Sequence, residues 1–522
     1  MATIKAENPR FRWPDNVYVD LGEFDVRRLL PHPLTHMGKA FHALLNRTWQ
    51  SGCIPEQWQE VHIVNLFKGG DSESTNNYRG ISLISCTLKV LLCLMANHLS
   101  KECEGKGLLC AEQAGFRPCE EAVAQATALA EIVRRRFLEG CATVCAFVDF
   151  KKAYDRVYHT YLFCLLNHVG VCGRFLRMVV ESYTKTKYSV RVGNHLSAAF
   201  TPTRGAKQGD PLSPILFDIF INSCLQEAMP GDHDGVIIKG HNLMRCKGLM
   251  YADDVVTLND GVESAQRSIR GIFDWGRKYG MELGRDKCGV LLCKGKEVEA
   301  APRHRVNRVL DLESDDEPES NLEELYTAHK EAIYGMPEGT IPTVTSYKYL
   351  GITVDEDLGE QSMEYKFALN QSKKGLRQLH ELRLFLTDQF CPIQLKVALV
   401  HNLVYPTMLY GAEFVGFQKL HAELLQQVIN LAAKWIMGLA KHSTSMDAFT
   451  LCYEQGLPPI FLEMATARAR LGYKLSNGQE KLKTWIQQLY DNPTTYSTQH
   501  LTWVTQTKKW LRQVECEKHK YS

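Results

Sequence analysis

The 522-residue chain contains no uninterrupted apolar run long enough to cross a bilayer, so no membrane-spanning helix and no membrane partner is expected. Its first residues, Met1 to Pro14, carry charge and proline where a secretory signal would carry an apolar core, so export is not expected. Cysteines number 17, yet no CxxC unit occurs among them, and Cys93, Cys145 and Cys293 lie inside apolar stretches. That pattern suits buried thiols in a reducing compartment better than a disulfide framework or a zinc site. Net charge is also scarce, at +2, which would argue against a polyanionic partner if it were evenly spread. It is not: eight acidic residues and no basic one lie between Asp311 and Glu324, so the remainder of the chain carries +10. A moderately basic body with one acidic insert permits a nucleic-acid partner without requiring one.

What is present is an ordinary globular composition, 45% hydrophobic and 23% charged, over a length that suggests two to four packed modules. Its most informative stretch is Leu249-Met250-Tyr251-Ala252-Asp253-Asp254-Val255-Val256. The flanks, Arg245 to Met250 and Val255 to Leu258, read as strands, and Ala-Asp-Asp between them as a turn in which Asp tolerates the tight backbone angles. Two adjacent carboxylates pushed out of an apolar sheet suit metal coordination or a cation, although an ordinary polar turn fits equally well. Thr143 to Val148 is a nearly continuous apolar run, the mark of a central strand, and it ends at Asp149. A strand-end carboxylate there is well placed to join the hairpin pair, and such a set could hold two divalent ions for in-line nucleotidyl transfer.

Other segments are weaker alone. His32, His36 and His42 accompany a helical pattern from Leu34 to Gln50 and read as packing or surface residues. Val61 to Phe67 and Tyr78 to Leu83 read as strands around Lys68-Gly69-Gly70-Asp71, a plausible phosphate clamp or a solvated hairpin. Helices are expected over Ile84 to Cys103 and Glu121 to Phe137, separated by Gln113-Ala114-Gly115-Phe116-Arg117. The triplet Arg134-Arg135-Arg136 reads as complementing the negative end of its helix. Arg204 to Pro214 follows a hairpin expected from Tyr188 to Thr203 and opens a helix running to about Met229.

Together these segments resemble a known family. Phe147-Val148-Asp149 through Tyr154-Asp155, Gln208-Gly209-Asp210-Pro211-Leu212-Ser213-Pro214 and Tyr251-Ala252-Asp253-Asp254 resemble, in order and spacing, the first three palm motifs of reverse transcriptases. Ala153-Tyr154-Asp155, Tyr78 to Leu83 and Gln113 to Arg117 resemble the enzymes of non-LTR, LINE-type retrotransposons in particular. Leu283-Gly284-Arg285-Asp286-Lys287 is similar to the motif ending in a family lysine, Tyr347 to Ile352 to the primer grip, and Pro406 to Glu413 to a stretch that follows it. The resemblance spans roughly residues 40 to 470.

It implies an α+β right-hand polymerase with fingers, an antiparallel palm sheet and a helical thumb. It implies Asp149 and Asp253 as metal ligands, with Asp254 beside them and the carbonyl of Phe150 helping. Tyr154 would be the plate under the incoming sugar, Gln208 and Gly209 would line the nucleotide and template pocket, and Lys68 and Arg79 would grip the triphosphate. Lys287 would donate a proton to the leaving pyrophosphate, while Asp155 is expected to order a helix start. Implied cofactors are two Mg²⁺ ions, replaceable by Mn²⁺; implied partners are an RNA template, a DNA primer and deoxynucleoside triphosphates, in an intracellular protein that reaches the nucleus through the cytoplasm.

The expected division is a divergent N-terminal extension over 1–36, fingers over 37–140, and a palm with interleaved fingers elements over 141–293. A charged flexible insert over 294–342, the primer-grip hairpin over 343–358, a helical thumb over 359–480 and a tail over 481–522 follow. Thumb helices are expected over Met363 to Leu386, Pro392 to Phe417, Leu420 to Leu439 and Pro459 to Leu475. The tail, with Trp503 and Trp510, would dock or touch nucleic acid. Upstream, Trp13-Pro14-Asp15-Asn16 only faintly echoes the family, and neither an endonuclease, a ribonuclease H constellation nor a CCHC knuckle is seen, so a polymerase-only portion is expected. Two rivals are a catalytically silent nucleic-acid-binding relic of a retroelement and a group II intron maturase-like protein.

Overall fold

The computed structural model describes residues 36–295, 339–358, 362–415, 419–439, 447–477, 482–494 and 502–521, with 327, 329, 332 and 334–336 besides. Trp13 to Asn16, the rest of the N-terminal extension before residue 36, and the acidic run from Asp311 to Glu324 lie outside the described residues.

Strands β1 (Glu60–Phe67) and β2 (Tyr78–Leu83) are the expected pair around Lys68, and β3 (Thr143–Asp149) is the expected apolar strand. They are followed by β4 (Lys187–Val192), β5 (His195–Leu196), β6 (Val236–Ile238), β7 (Met244–Cys246), β8 (Gly248–Tyr251), β9 (Asp254–Asn259) and β10 (Gly289–Cys293). Then come β11 (Tyr334–Met336), β12 (Gly339–Ile341), β13 (Ser346–Tyr349) and β14 (Ile352–Asp355). The central sheet runs β10-β3-β9-β8, antiparallel throughout, and a second sheet runs β2-β1-β4-β5 with β1 and β4 parallel.

The first six residues of β3 are all buried, because apolar cores cover both faces of the sheet. Val144, Ala146 and Val148 enter a core shared with Phe217, Phe220, Ile272 and Trp275. Cys145 and Phe147, pointing the other way, enter a second core with Leu129, Ile132, Tyr349 and Ile352. A strand covered twice cannot alternate in polarity, which is why its sequence is a continuous apolar run.

Five expectations change: the helix expected to run to about Met229 is two, Ser213–Ile221 and Cys224–Ala228, and the one expected over Met363 to Leu386 is Ser362–Glu381 and Arg383–Thr387. The strand expected from Arg245 to Met250 is divided: β7 pairs with β6, whereas β8 pairs with β9, and the Lys247 ammonium between them donates to the Met229 carbonyl. The helix expected from Pro392 to Phe417 is broken into Ile393–Leu399, a π-helical turn at Val400–Val404, Tyr405–Leu409 and Ala412–Val415. Pro406, with no N–H to donate and a ring that crowds the preceding turn, goes with the π turn, and the helix stops after Leu409 where Gly411 takes φ 83°. Arg134-Arg135-Arg136 does more than complement a helix end, because its last two members turn inward.

Arg135 is wholly buried, pairs with buried Glu131 at 2.8 Å and donates to the carbonyls of Leu489 (2.8 Å) and Asn492 (2.7 Å). Arg136 donates to Thr143 Oγ1 and the Ala142 carbonyl, both at 2.8 Å, and pairs with Asp260. The described part of the tail therefore docks. The Trp503 indole donates to the Glu413 carbonyl at 2.8 Å, and buried Arg468 reaches Thr507 Oγ1 at 3.0 Å. The architecture is the α+β right-hand polymerase expected from the sequence, with its C-terminal helices folded back onto the helix Ala122–Leu138.

Removing one partner of a buried ion pair strands the other charge, at a cost of about 3–5 kcal/mol, whereas replacing both with apolar residues is nearly neutral. Arg135→Met should therefore lower the denaturant midpoint sharply, and Arg135→Met with Glu131→Leu should recover the part owed to the stranded Glu131 charge, while the lost bonds to Leu489 and Asn492 remain. An equally unstable double variant would show that the bonds to the tail, not the ion pair, carry the whole loss.

Candidate active site

Asp149 ends β3 and Asp254 begins β9, and the two are direct cross-strand partners. The β8–β9 hairpin closes through Tyr251 opposite Asp254, leaving Ala252 and Asp253 as a two-residue loop. Among the loop residues it is Ala252, not Asp, that takes the left-handed conformation, at φ 55°. That corrects the expected turn chemistry, since a positive φ at the first position is a place where primed turns favour glycine.

Gly284 N donates to the Asp149 carbonyl at 2.8 Å and Lys151 N to the Glu282 carbonyl at 2.7 Å, which lays the segment carrying Lys287 beside β3. Those bonds form the Phe150–Leu283 bridge without using the Phe150 carbonyl. The Lys287 ammonium lies 3.5 Å from Asp149 Oδ2, and Tyr347 Oη donates to the Lys287 carbonyl at 2.7 Å.

Across the site, the Tyr154 ring stacks on Phe217 at 4.6 Å, and its hydroxyl is buried without a protein partner among the described residues. Lys68 N donates to the Asn77 carbonyl at 2.8 Å, closing the β1–β2 loop, and Arg79 stands exposed on β2. Ser82 N donates to the Gln208 carbonyl at 2.8 Å, joining the second sheet to the loop before the helix Ser213–Ile221. Gly209 sits at φ 110°, and a Cβ there would approach the Ser82 carbonyl to 3.0 Å, so this position requires glycine.

All ten expected site residues, Lys68, Arg79, Asp149, Phe150, Tyr154, Gln208, Gly209, Asp253, Asp254 and Lys287, line one cavity of about 980 Å³. Asp155 lines it too, and its expected part in ordering a helix start is corrected. It lies inside the four-residue helix Ala153–Arg156 and accepts from the Gln208 side chain at 3.3 Å. Sequence reasoning also missed Lys152 and Phe116. Lys152, at φ 51°, faces the cavity and donates to Asn76 Oδ1 at 3.0 Å; the basic pair after Asp149 was its only signal. Phe116 lies edge-on to Tyr154 at 6.3 Å. Beneath the Gln208 loop, burial pulls the Lys207 ammonium down to about 8, with buried Asp210 opposing the shift.

Burial raises Asp149, and Lys287 opposes it. Burial also raises Asp253, with Asp149 repelling it and Lys287 and Arg79 opposing. Asp254 is pushed up to about 6 by burial, then by the charges of Asp253 and Asp149. Crowded carboxylates of this kind suit a hard divalent cation. Among the described residues, no three His, Cys, Asp or Glu side chains converge closely enough to hold an ion by themselves.

The fold and this cavity place the protein among the right-hand polymerases. The family model described as "Reverse transcriptase (RNA-dependent DNA polymerase)" matches residues 68–354, and the chain belongs to that family. It is 25% identical over 448 residues to the putative 115 kDa protein in type-1 retrotransposable element R1DM of Drosophila melanogaster, covering 84% of this chain and 38% of that protein. It is also 25% identical over 376 residues to the probable RNA-directed DNA polymerase from transposon BS of the same organism, covering 70% of this chain and 36% of that protein. The chain thus spans little more than a third of these relatives. Telomerase from Candida albicans, solved with a fragment of telomeric RNA, aligns with a TM-score of 0.40 at 12% identity, covering 80% of this chain and 68% of that one.

A carboxyl whose folded value is raised costs stability once ionised. The unfolded chain gives up the Asp254 proton near pH 4, the metal-free fold only near 6, so stability falls as pH rises through that window. In EDTA, the Tm of the wild type minus that of Asp254→Asn should decline from pH 4 to pH 6.5 and then level off. A flat difference would show that neither burial nor the neighbouring charges raise Asp254.

Proposed function

We propose that the chain is an RNA-directed DNA polymerase of a LINE-type retroelement, extending a primer 3′-hydroxyl with deoxynucleoside triphosphates. The observation that carries this reading is the convergence of three carboxylates, two cationic fingers residues and an aromatic plate on one cavity. Asp149 and Asp253 would hold two Mg²⁺ ions, with Asp254 and the Phe150 carbonyl alongside, and Mn²⁺ could replace them. Bound there, the ions supply Lewis-acid activation of the 3′-hydroxyl and neutralise charge on the leaving group.

The primer 3′-oxygen forms a bond to the α-phosphorus, the bond between that phosphorus and the α–β bridging oxygen breaks, and pyrophosphate leaves. The 3′-hydroxyl proton passes to solvent. Lys287, the ammonium nearest Asp149, donates a proton to the pyrophosphate. Lys68 and Arg79 hold the β- and γ-phosphates, since they bring cationic donors to the cavity that the carboxylates line. Tyr154, fixed on Phe217, would leave little room for a 2′-hydroxyl, and Gln208 and Gly209 would line the pocket of the templating pair. The boundaries proposed are fingers 37–140, palm 141–293, primer grip 343–358 and thumb 359–480.

Extension of oligo(dT) on poly(rA) with dTTP and Mg²⁺ tests the reading. Wild-type protein should extend the primer and Asp253→Asn should not. Tyr154→Val should admit ribonucleotides better by about 10-fold or more, as expected when a steric wall is removed from a pocket. No extension by well-folded wild-type protein would favour the silent-relic reading, and unchanged sugar selection would remove Tyr154 from its role.

A further inference from the structure

Strand β8 is the outer strand of the central sheet, so its free edge would expose unpaired backbone beside the Asp253–Asp254 loop. The segment before Gly115 covers that edge. Met250 N donates to the Glu112 carbonyl at 2.7 Å and Ala114 N to the Met250 carbonyl at 2.9 Å, pairing Gln113 with Met250 in parallel. Gln125 adds bonds to the carbonyls of Glu112 (2.8 Å) and Met250 (3.1 Å).

The Gln113 side chain does something the edge pairing does not require. It is wholly buried, and its Oε1 accepts from Gly115 N at 2.8 Å and from Ala252 N at 3.0 Å, while its Nε2 lies 3.5 Å from the Ala252 carbonyl. One carboxamide thus addresses both backbone groups of the residue held at φ 55°, a conformation unfavourable to any non-glycine residue. The contact is close: a Cβ on Gly115 would fall 2.2 Å from Ala252 N, so no other residue fits.

The clamp is itself braced. Arg117 binds Glu104 through two bonds of 2.7 Å and donates to the carbonyls of Cys110 and Gln113, both at 2.9 Å. The loop therefore cannot move without disturbing a buried guanidinium. A carboxylate in place of the Gln113 amide would lose the donor facing the Ala252 carbonyl and add a fourth negative group near three others.

We propose that Gln113 is a positioning residue for the carboxylate site. By fixing the Ala252 peptide in its left-handed conformation, it sets where Asp253 stands relative to Asp149, and so how well the pair holds a divalent ion. The inference rests on the metal-dependent reading above, and its test separates the two. Gln113→Met keeps the side chain's bulk and removes its hydrogen bonds. Gln125→Met removes bonds to the same edge without touching Ala252.

Mn²⁺ binding to the full chain, followed by electron paramagnetic resonance without nucleotide turnover, should weaken about 10-fold or more in Gln113→Met, the range seen when a residue orienting a metal ligand is lost. It should be unchanged in Gln125→Met, even if both variants lose thermal stability. In extension assays, Gln113→Met should raise the Mg²⁺ concentration for half-maximal rate by a similar factor, leaving KM for dTTP within about twofold. Equal Mn²⁺ affinity in wild type and Gln113→Met, or equal weakening in both variants, would overturn the assignment. Weaker Mn²⁺ binding in Gln113→Met with an inactive wild type would uphold it while removing the polymerase reading.

Discussion

Three like charges brought to the ends of two neighbouring strands are the constraint on which the rest of the structure depends. Asp149 and Asp254 face each other across the β3–β9 ladder, Asp253 sits one residue away, and all three are driven toward protonation by burial. Like charges opposite one another destabilise a sheet, so the pairing must be held by something else. That something is the double core: β3 and β9 feed alternate side chains into two apolar clusters, and neither strand can slip without exposing both. The fold thus supplies the force, and the carboxylates store the repulsion that a cation would relieve.

The surroundings of the carboxylates follow the same electrostatic logic. Lys287 gives partial compensation at 3.5 Å, while Lys68, Arg79 and Lys152 line the same cavity. Cations and crowded carboxylates around one cavity suit a polyanion that arrives with its own divalent ions. Between them, Tyr154 is set by stacking on Phe217, and the Gln208 loop is set by Ser82 on one side and Asp155 on the other. The cavity is therefore a junction of both sheets.

Much of this was legible in the sequence because the determining physics is local. A strand buried on both faces must be continuously apolar, and a carboxylate ending it stands out, which is how Asp149 was found. Gly209 announces a backbone that only glycine adopts there. What was not legible depends on partners far along the chain. Arg135 looked like a helix-end cation until Leu489 and Asn492 were seen to accept from it, and Asp155 until Gln208 came within reach. The left-handed residue of the hairpin was misplaced because Ala252 has no intrinsic reason to adopt it; the reason lies in Gln113, more than a hundred residues earlier.

The central claim is that the carboxylate cluster is organised to hold a pair of divalent ions together with nucleotide. The most direct measurement is the number of Mn²⁺ ions bound per chain in the presence of poly(rA), a 3′-deoxy-terminated oligo(dT) primer and dTTP, beside an Asp149→Asn control. The account predicts two ions for the wild type and fewer for the variant. One ion or none in the wild type, or the same number in the variant, would contradict it.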